Sequence, residues 1–329
     1  MSNIDPITPI DHIHKRPGMY IGNLSDKNAT VNVVGELLAN VIDLYLAGKA
    51  SYFTVDQSDG WITVSDDGPG LPFDQFDHKH GITMVEKHLT IGHDAPTADG
   101  HFPHVHMFSQ GIGMILLNAL SSTLEITSYK DSIRYTQVYK DGVPVSEPVK
   151  QSTNEKNGTI FRFQLSEKLF DGNNQLHLAS MRSLIFFASH QFPGFKISLQ
   201  EETFIVKNGF GDLVETLLIR NQGQKIDVRS FHKSTDVCEM NFAYGIMEGS
   251  KNEFKLSFAN GVPTNKGGSH EKGMNRAFRK YGITPNVAII SVVLNQPIFS
   301  SPTKAKLYVP DVEEAVERAI SEFLAEEKE

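Results

Sequence analysis

Three polar side chains in the first fifty residues have a spacing suited to catalysis. Glu36, Asn40 and Asp43 lie at positions i, i+4 and i+7 of a helix-like stretch, so they share one face. On such a face Glu36 could activate a water molecule as a general base. Asn40 could offer its amide oxygen to Mg²⁺ beside phosphate oxygens. An ordinary solvated helix face has the same spacing, so the spacing alone leaves both interpretations open.

A second candidate carboxylate follows at Asp66. In residues 61–70 (WITVSDDGPG) the alternation places Ile62, Val64 and Asp66 on one face of a strand, which aims the carboxylate into an apolar layer. A buried carboxylate requires a hydrogen-bond donor. The exocyclic amine of adenine is such a donor, and Thr159 could assist from its own strand. The alternative is an Asp-Gly turn in which Asp66 caps the local backbone.

A short glycine motif lies at the start of a predicted helix. In Gly111-Ile112-Gly113 the glycines let backbone N–H groups approach phosphates, and a helix N-terminus favours negative charge. The motif is not a P-loop, because no Gly-Lys-Ser/Thr follows it. It is not a Rossmann fingerprint either, because Leu116 occupies the third glycine position. It therefore indicates phosphate binding only in combination with other residues.

The elements that must hold these residues follow from the apolar periodicity. In the first part of the chain it predicts helices over about 31–47, from 113 onward and over 176–188, and strands over 52–55, 61–65, 124–129, 133–139, 159–163 and 195–199. Further on it predicts a helix over 210–219, strands over 242–247, 254–258 and 287–294, and a last helix near a capping box at Asp311 and Glu314. We therefore expect two domains, residues 1–207 and 208–329.

The composition is that of an ordinary globular protein and excludes several classes. Of 329 residues, 40% are hydrophobic and 21% are charged, and this length favours about two domains. The only cysteine, Cys238, excludes a disulfide framework and a multi-cysteine metal site. The net charge of −8 argues against nucleic-acid binding by bulk charge. With neither a secretion signal nor an apolar run of membrane-helix length, we expect a cytoplasmic protein without a membrane segment.

Histidine is concentrated in one polar stretch. Seven of the 13 histidines fall between His78 and His106, in a segment that begins as a helix and continues as a long loop. Loops of that length inside a compact domain are usually functional. The stretch predicts a polar lid whose imidazoles contact phosphate, and a histidine-rich zinc site is the alternative.

Taken together, the motifs resemble those of a known family. They are RPGMYIG at 16–22, Glu36 with Asn40, Asp66-Asp67-Gly68-Pro69-Gly70, Gly111-Ile112-Gly113, and in the second half FANGVP at 258–263, GGSH at 267–270 and FSSPTK at 299–304. In this combination the chain resembles the GHKL ATPases and, within them, the B subunits of DNA gyrase and topoisomerase IV. The resemblance implies an α+β fold, in which a GHKL (Bergerat-type) α/β sandwich that binds ATP precedes a smaller α/β transducer domain.

The resemblance also implies a role for each matching residue. By position, Glu36 matches the general base, Asn40 the Mg²⁺ ligand, Asp66 the adenine-reading carboxylate with Gly68, Gly70 and Thr159 beside it, Gly111, Ile112 and Gly113 the phosphate loop, and Lys304 the transducer lysine that reaches the γ-phosphate. The family implies an ATP-dependent homodimer that hydrolyses ATP slowly, with a gyrase or topoisomerase subunit as a possible partner and only indirect contact with DNA. No cleavage domain follows in this sequence, so we expect no DNA cleavage by this chain alone.

Several positions depart from the family pattern. Pro302 stands where the family usually has Gln, and Phe108 replaces a lid glycine. Pro69 and Leu44 replace an Arg and a Glu that form an ion pair at the pocket rim, and their joint loss indicates repacking, since losing one partner would strand a charge. The retained general base and transducer lysine favour an ATPase. The departures favour the alternative, a non-enzymatic regulator that binds nucleotide and modulates a true gyrase or topoisomerase IV.

Overall fold

The computed structural model describes five stretches of the chain. They are residues 8–92, 112–219, 226–249, 253–301 and 304–326. The chain divides into two compact units. Among the described residues, the first unit holds 8–92, 112–186 and 195–205, and the second holds 187–194 and those from 206 onward. Each unit is described by itself below.

The first unit contains seven helices and eleven strands among its described residues. The helices are α1 (Pro9–Lys15), α2 (Gly18–Ile21), α3 (Asn28–Leu46), α4 (Met84–Thr90), α5 (Gly113–Leu120), α6 (Glu167–Phe170) and α7 (Leu178–Gln191), whose last residues belong to the second unit. The strands are β1 (Tyr52–Ser58), β2 (Trp61–Asp66), β3 (Phe76–Asp77), β4 (Ile82–Thr83), β5 (Ser121–Lys130), β6 (Ile133–Lys140), β7 (Val143–Pro144), β8 (Val149–Ser152), β9 (Gly158–Leu165), β10 (Lys196–Leu199) and β11 (Glu202–Phe204).

One large sheet organises the first unit. Its strand order is β11-β10-β1-β2-β9-β5-β6-β7, with β8 also paired to β6. The pair β1 and β10 is parallel, and the other pairs are antiparallel. Helix α3 packs against β1, β2 and α5, and α5 packs against β5. Side chains therefore alternate along the strands between a packed face and a more exposed one, as antiparallel sheets allow.

Helix α3 is the central helix of this unit and is buried on most of its circumference. Thirteen of its 19 residues are buried. The Asp26 side chain accepts the N–H of Asn28 where the helix begins, and Gly48, with a φ of 68°, ends it in a left-handed conformation. By length and composition α3 could cross a membrane, which corrects the expectation that no segment could. However, 72% of its apolar window is buried inside the protein, as in a core helix.

The second unit is a smaller α/β unit. Its described elements are α8 (Phe210–Ile219), β12 (Ile226–Ser234), β13 (Glu239–Met247), β14 (Phe254–Ala259), β15 (Val262–Pro263), α9 (Ser269–Tyr281), β16 (Val287–Val293) and α10 (Pro310–Glu326). The strand order is β12-β13-β16-β14-β15, and β14 pairs with β16 in parallel. Helix α8 packs against β12, β13 and β16, while α9 packs along α10 and against β16.

Both faces of the β16 strand are covered, and its sequence reflects this. The run VAIISVV is buried at six of its seven positions, which is the continuous apolar pattern expected of a central strand. A Cβ on Gly245 of the neighbouring strand β13 would lie 2.4 Å from Leu218 Cδ1 and 2.6 Å from Val214 Cγ1. Glycine at this position therefore lets α8 approach the sheet closely.

The α+β class is confirmed, and the predicted elements agree best where they are long. The structure places a helix or strand at each segment predicted from periodicity, with ends shifted by a few residues. The capping-box interpretation is wrong, because α10 begins at Pro310 and Asp311 lies inside its first turn. Sequence periodicity did not predict α9, whose first residues belong to the GGSH motif.

A buried polar network in the second unit surrounds His270. This side chain is fully buried, and its Nε2 lies 3.1 Å from Thr264 Oγ1. Thr264 Oγ1 in turn lies 2.7 Å from Ser257 Oγ. The other ring nitrogen, Nδ1, makes no hydrogen bond to any residue that the structure describes. Burial lowers the pKa of His270 to about 4, so the imidazole is neutral at pH 7.

We predict that the second unit loses stability on acidification because of His270. The unfolded chain, with a histidine pKa near 6.5, binds the proton before the folded chain does. The unfolding free energy should therefore fall as the pH drops from 6.5 to 4, by up to about 3 kcal/mol. Circular dichroism during thermal unfolding measures this. The slope should shrink in His270→Gln and persist in the control His232→Gln, an exposed histidine. Equal slopes in wild type and His270→Gln would contradict the assignment.

Candidate functional site: a buried carboxylate and a glycine-bordered helix start

Glu36, Asn40 and Asp43 lie on the buried helix α3. Glu36 is 3% exposed and Asp43 is buried as well, while Asn40 is half-buried. The structure therefore does not show the solvated helix face that was the alternative interpretation. A buried glutamate has a strong requirement for polar surroundings, so the environment of Glu36 decides what this face can do.

The carboxylate of Glu36 lies against the first residue of α5. A Cβ on Gly113 would lie 2.8 Å from Glu36 Oε2 and 3.0 Å from Glu36 Cβ. Ile112 is the N-cap of α5 and provides no side-chain cap. Gly111 lies outside the described residues. The structure thus brings together the predicted general base and one glycine of the predicted phosphate loop, at a helix N-terminus that favours negative charge.

Asp66 ends strand β2 and is buried. It is 8% exposed, and its Oδ1 accepts the N–H of Gly68 at 2.8 Å. Inward orientation and local backbone capping, which were alternatives in the sequence, are therefore both present. Burial raises the pKa of Asp66 to about 6, the Gly68 N–H lowers it in part, and the Asp67 charge raises it. The site thus contains a carboxylate that titrates close to neutral pH.

The neighbouring Asp67 has the opposite electrostatic environment. Partial burial raises its pKa, but hydrogen bonds from the Ser51 side chain and from the N–H groups of Ser51 and Tyr52 outweigh that effect and lower it. Two adjacent carboxylates therefore differ because one is desolvated and the other is surrounded by donors.

Asp66 belongs to a row of polar side chains across three strands. The register pairs Asp66 of β2 with Thr159 of β9, and Thr159 with Ser128 of β5. Residues directly opposite in an antiparallel pair share a face, and Thr159 and Ser128 are both buried. Ser128 was not among the predicted site residues. Its signal was the alternation Leu124, Ile126, Ser128, which places a serine on an inward, apolar face.

Ser128 connects this row to the turn that follows Asp66. Its Oγ accepts the N–H of Leu71 at 2.7 Å. A Cβ on Gly70, whose φ is +79°, would lie 2.5 Å from the carbonyl oxygen of Tyr129 and 3.0 Å from Ser128 Oγ. Gly158, also missed, would place a Cβ 2.5 Å from the carbonyl oxygen of Asp66. The glycines hold the turn tightly against its neighbouring strands.

The rim of this turn contains one of the departures from the family pattern. A Cβ on Gly68 would lie 2.8 Å from Asp66 Oδ1 and 2.9 Å from Leu44 Cδ1. Leu44 therefore packs beside the turn, and Pro69 is exposed. Repacking of the rim in place of the family's ion pair stays a prediction.

Lys304 belongs to the second unit, whereas the other predicted site residues that the structure describes belong to the first. It has a φ of +54°, and its N–H donates to the carbonyl oxygen of Ser301. Pro302 lies outside the described residues, as does Phe108. Contact between Lys304 and nucleotide stays a prediction.

The histidine-rich stretch is described only in part. His80 Nδ1 lies 3.1 Å from Asp77 Oδ1, and Lys87 lies 2.8 Å from Asp77 Oδ2. Histidines 93, 101, 104 and 106 lie outside the described residues. Within the described ranges, no group of three His, Cys, Asp or Glu side chains could hold a metal ion. The zinc alternative therefore rests on residues that the structure does not describe.

Sequence comparison relates the chain to gyrase B proteins. No family model matches it. It is 29% identical over 351 residues to the B subunit of DNA gyrase from Staphylococcus aureus, covering 97% of this chain and 54% of that protein. The corresponding protein of Staphylococcus epidermidis gives 29% over 350 residues with the same coverage. The chain thus spans about half the length of the curated relatives it matches.

Structure comparison finds gyrase B and topoisomerase IV structures of similar fold. The 43K ATPase domain of Thermus thermophilus gyrase B, in complex with an aminocoumarin, matches with a TM-score of 0.78 at 22% identity, covering 99% of this chain and 93% of that chain. The gyrase B protein of Myxococcus xanthus gives 0.79 at 19%, covering 97% and 95%. The ATP-binding domain of Francisella tularensis topoisomerase IV, bound to a small-molecule inhibitor, gives 0.73 at 25%, covering 96% and 90%.

In sequence and fold, the chain resembles the N-terminal ATPase region of gyrase B. The resemblance stated from the motifs is therefore confirmed, together with the fold that it implied.

We predict that Asp66 destabilises the first unit at neutral pH. Its folded-state pKa of about 6 exceeds the ordinary 3.8, so the folded chain loses stability as the pH rises from 4 to 6. Asp66→Asn keeps an oxygen for the Gly68 N–H and removes the charge. It should raise the unfolding free energy at pH 8 by about 1–3 kcal/mol, with no gain near pH 4.

Trp61 provides the measurement, because it is the only tryptophan and lies in β2 beneath the Arg162 guanidinium. Its fluorescence during urea unfolding reports on the first unit. Asp67→Asn is the matched control and should lower stability at pH 8, since it removes a favourably hydrogen-bonded charge. A loss of stability at pH 8 in Asp66→Asn would contradict the burial argument.

Proposed function

We propose that this chain is an ATP-binding, slowly ATP-hydrolysing gate module of the type IIA topoisomerase B-subunit kind. Residues 1–207 would form the ATP-binding domain and residues 208–329 the transducer. The similarity to gyrase B and topoisomerase IV ATPase domains supports an ATPase module of this kind. The observation that carries the proposal is the approach of the Glu36 carboxylate to Gly113 at the start of α5.

The first unit offers groups suited to adenine. Asp66 is a buried acceptor at the end of a strand, with Thr159 directly opposite in the register. A carboxylate has two oxygens with about four acceptor sites, so it can accept the exocyclic amine of adenine in addition to the Gly68 N–H. Gly70 lies in the turn after Asp66, which packs against β5, and by the resemblance it would lie beneath the base.

The amide oxygen of Asn40 on helix α3 is suited to bind Mg²⁺. Asn40 lies one helical turn after Glu36, is half-buried and provides an uncharged oxygen, which suits a cation that keeps most of its ligands from water and phosphate. When bound, Mg²⁺ would neutralise charge on the phosphate oxygens. No other residue of the described site is assigned to the metal.

The residues of this chain would accept a proton and orient the phosphates. Glu36 would accept a proton from the attacking water, because its carboxylate lies at the helix start where Gly111, Ile112 and Gly113 would hold the phosphates. Lys304 would contact the γ-phosphate. Since ADP lacks that group, this contact would make the state of the second unit depend on the nucleotide.

We further propose an ATP-dependent homodimer in the cytoplasm, with a gyrase or topoisomerase subunit as a possible partner and only indirect contact with DNA. The rival function is a regulator that binds nucleotide without hydrolysing it. The retained Glu36 and Lys304 favour the ATPase, because a regulator that does not hydrolyse nucleotide needs no general base. Steady-state turnover separates the two functions.

We predict that Glu36→Ala retains ATP binding and loses roughly 10²–10⁴ in turnover, the usual contribution of a general base. A coupled ATPase assay and calorimetry with a non-hydrolysable analogue measure the two quantities. Asp66→Asn should instead weaken ATP binding by roughly 1–3 kcal/mol, because it turns an acceptor into a donor. Glu125→Ala is the control, since Glu125 pairs with Arg162 near the surface. Equal turnover in wild type and Glu36→Ala would support the regulator.

We predict that a non-hydrolysable ATP analogue drives dimerisation and that ADP does not. Lys304→Ala should abolish the difference, because it removes the charge assigned to the γ-phosphate. Sedimentation at tens of micromolar protein detects a dimer with a free energy of about −6 kcal/mol or better. Lys306→Ala, two residues further along, is the matched control. Analogue-driven dimers of equal strength in Lys304→Ala and wild type would rule out this coupling.

A further inference from the structure

The GGSH motif at 267–270 has no role in the function proposed above. Its two glycines lie between β15 and α9, and Ser269 and His270 are the first residues of that helix. Gly268 has a φ of +147° and Ser269 is buried. A motif with such a backbone and no assigned ligand raises the question of what its groups contact.

Four hydrogen bonds join the segment that follows Lys304 to this motif and to Lys266 just before it. Lys266 N–H donates to the Ala305 carbonyl at 2.9 Å, and Leu307 N–H donates to the carbonyl of Gly267 at 3.2 Å. Ser269 N–H donates to the Leu307 carbonyl at 3.1 Å. The fourth bond uses a side chain, because Ser269 Oγ accepts the N–H of Val309 at 3.0 Å.

Gly268 permits this approach by lacking a side chain. A Cβ there would lie 2.5 Å from the carbonyl oxygen of Leu307 and 2.6 Å from its nitrogen. These are backbone atoms, which cannot rotate away. Leu307 is itself fully buried in the core of the second unit, so the segment is held on one side by the motif and on the other by apolar packing.

Lys304 lies just before this segment in a backbone conformation that few residues adopt. Its φ of +54° is unusual for a lysine. On either side, Ser300 N–H donates to the Lys306 carbonyl and Tyr308 N–H donates to the Ile298 carbonyl. A residue in a sparsely populated conformation persists only when its surroundings determine it strongly. The motif supplies such surroundings on the C-terminal side of Lys304.

The motif is anchored in turn to the sheet of the second unit. Gly267 N–H donates to the Thr264 carbonyl at 2.7 Å, and the Thr264 side chain contacts both His270 and Ser257. Ser257 lies in β14 and also donates to Glu271 Oε2 at 3.1 Å. A continuous set of hydrogen bonds therefore runs from strand β14 to the segment that follows Lys304.

We propose that residues 266–269 form a clamp that positions Lys304, and that Ser269 is its positioning residue. This inference rests on the proposed function of Lys304 at the γ-phosphate. Ser269 would contact neither the nucleotide nor the attacking water. It would act through Lys304, by holding the backbone of 305–309 in register with α9.

The test compares Ser269→Ala with Ser321→Ala, in which the replaced serine has no corresponding hydrogen bond. Ser321 on α10 is also buried in the second unit, and its hydroxyl makes no hydrogen bond to any described residue. Ser269→Ala should lower kcat about three- to tenfold, the range expected for losing one hydrogen bond, and leave ADP affinity unchanged. Ser321→Ala should change neither. Ser269→Thr, which keeps the hydroxyl, should restore kcat toward the wild-type value.

Two further measurements distinguish positioning from general destabilisation. The double variant Ser269→Ala/Lys304→Ala should turn over no more slowly than Lys304→Ala alone, because a residue that acts through Lys304 has no effect without it. Amide hydrogen exchange without nucleotide should become faster at Leu307 and Val309 in Ser269→Ala, and stay unchanged across β13.

The outcomes separate the clamp from the function on which it rests. Multiplicative effects in the double variant, or unchanged exchange at Val309, would overturn the clamp even in an active ATPase. If Lys304→Ala has wild-type turnover and nucleotide preference, the γ-phosphate role is wrong. The catalytic part of the inference then fails with it, while faster exchange at Val309 would still show that Ser269 holds this segment.

Discussion

The burial of a single carboxylate at the end of β2 constrains the rest of the first unit. Asp66 lies opposite the buried Phe53 on one side and opposite Thr159 on the other. Desolvation disfavours its charged form and, with the Asp67 charge, raises its pKa to about 6 despite the Gly68 N–H. The hydrogen bond from the Gly68 N–H offsets part of that cost, as a buried carboxylate requires.

This constraint explains where the glycines lie. Glycines near a nucleotide pocket are commonly interpreted as space for phosphate or base, yet Gly68, Gly70 and Gly158 each face atoms of the protein itself. They allow the turn after Asp66 to pack against β5 and β9, which places donors and acceptors around the carboxylate. Gly113 has the same relation to Glu36. In the described residues these glycines therefore serve close packing within the protein itself.

The sequence predicted those features that have a local cause. Helix α3 and strand β2 follow from apolar periods of 3.6 and 2, and the inward orientation of Asp66 follows from the second of these. The burial of Glu36 could not be predicted, because a polar helix face looks alike whether solvent or another helix covers it. The Leu71 bond to Ser128 joins residues 57 positions apart, so no local pattern contains it.

Helix α9 and the tight contacts at its start were also beyond prediction. Helix α9 has an amphipathic pattern, but it begins within the GGSH motif, whose glycines and polar residues favour a loop assignment. What those residues do becomes visible only when the segment 305–309 lies beside them. The glycines and the serine of this motif contribute mainly through backbone hydrogen bonds. The sequence alone does not reveal which backbone donor pairs with which acceptor.

There is a physical reason why this chain departs from the family pattern at some positions and keeps it at others. Asp66 and Lys304 are locally unfavourable, one through desolvation and the other through its backbone conformation. Both are supported by backbone hydrogen bonds and by glycines, and an added Cβ at Gly70, Gly158 or Gly268 would meet main-chain atoms. The rim positions Leu44 and Pro69 have no such constraint, since a side chain there can be exchanged for another that fills the space. A chain can therefore depart from its relatives at the rim and keep the geometry beneath it, because the supports that matter leave almost no alternative residue.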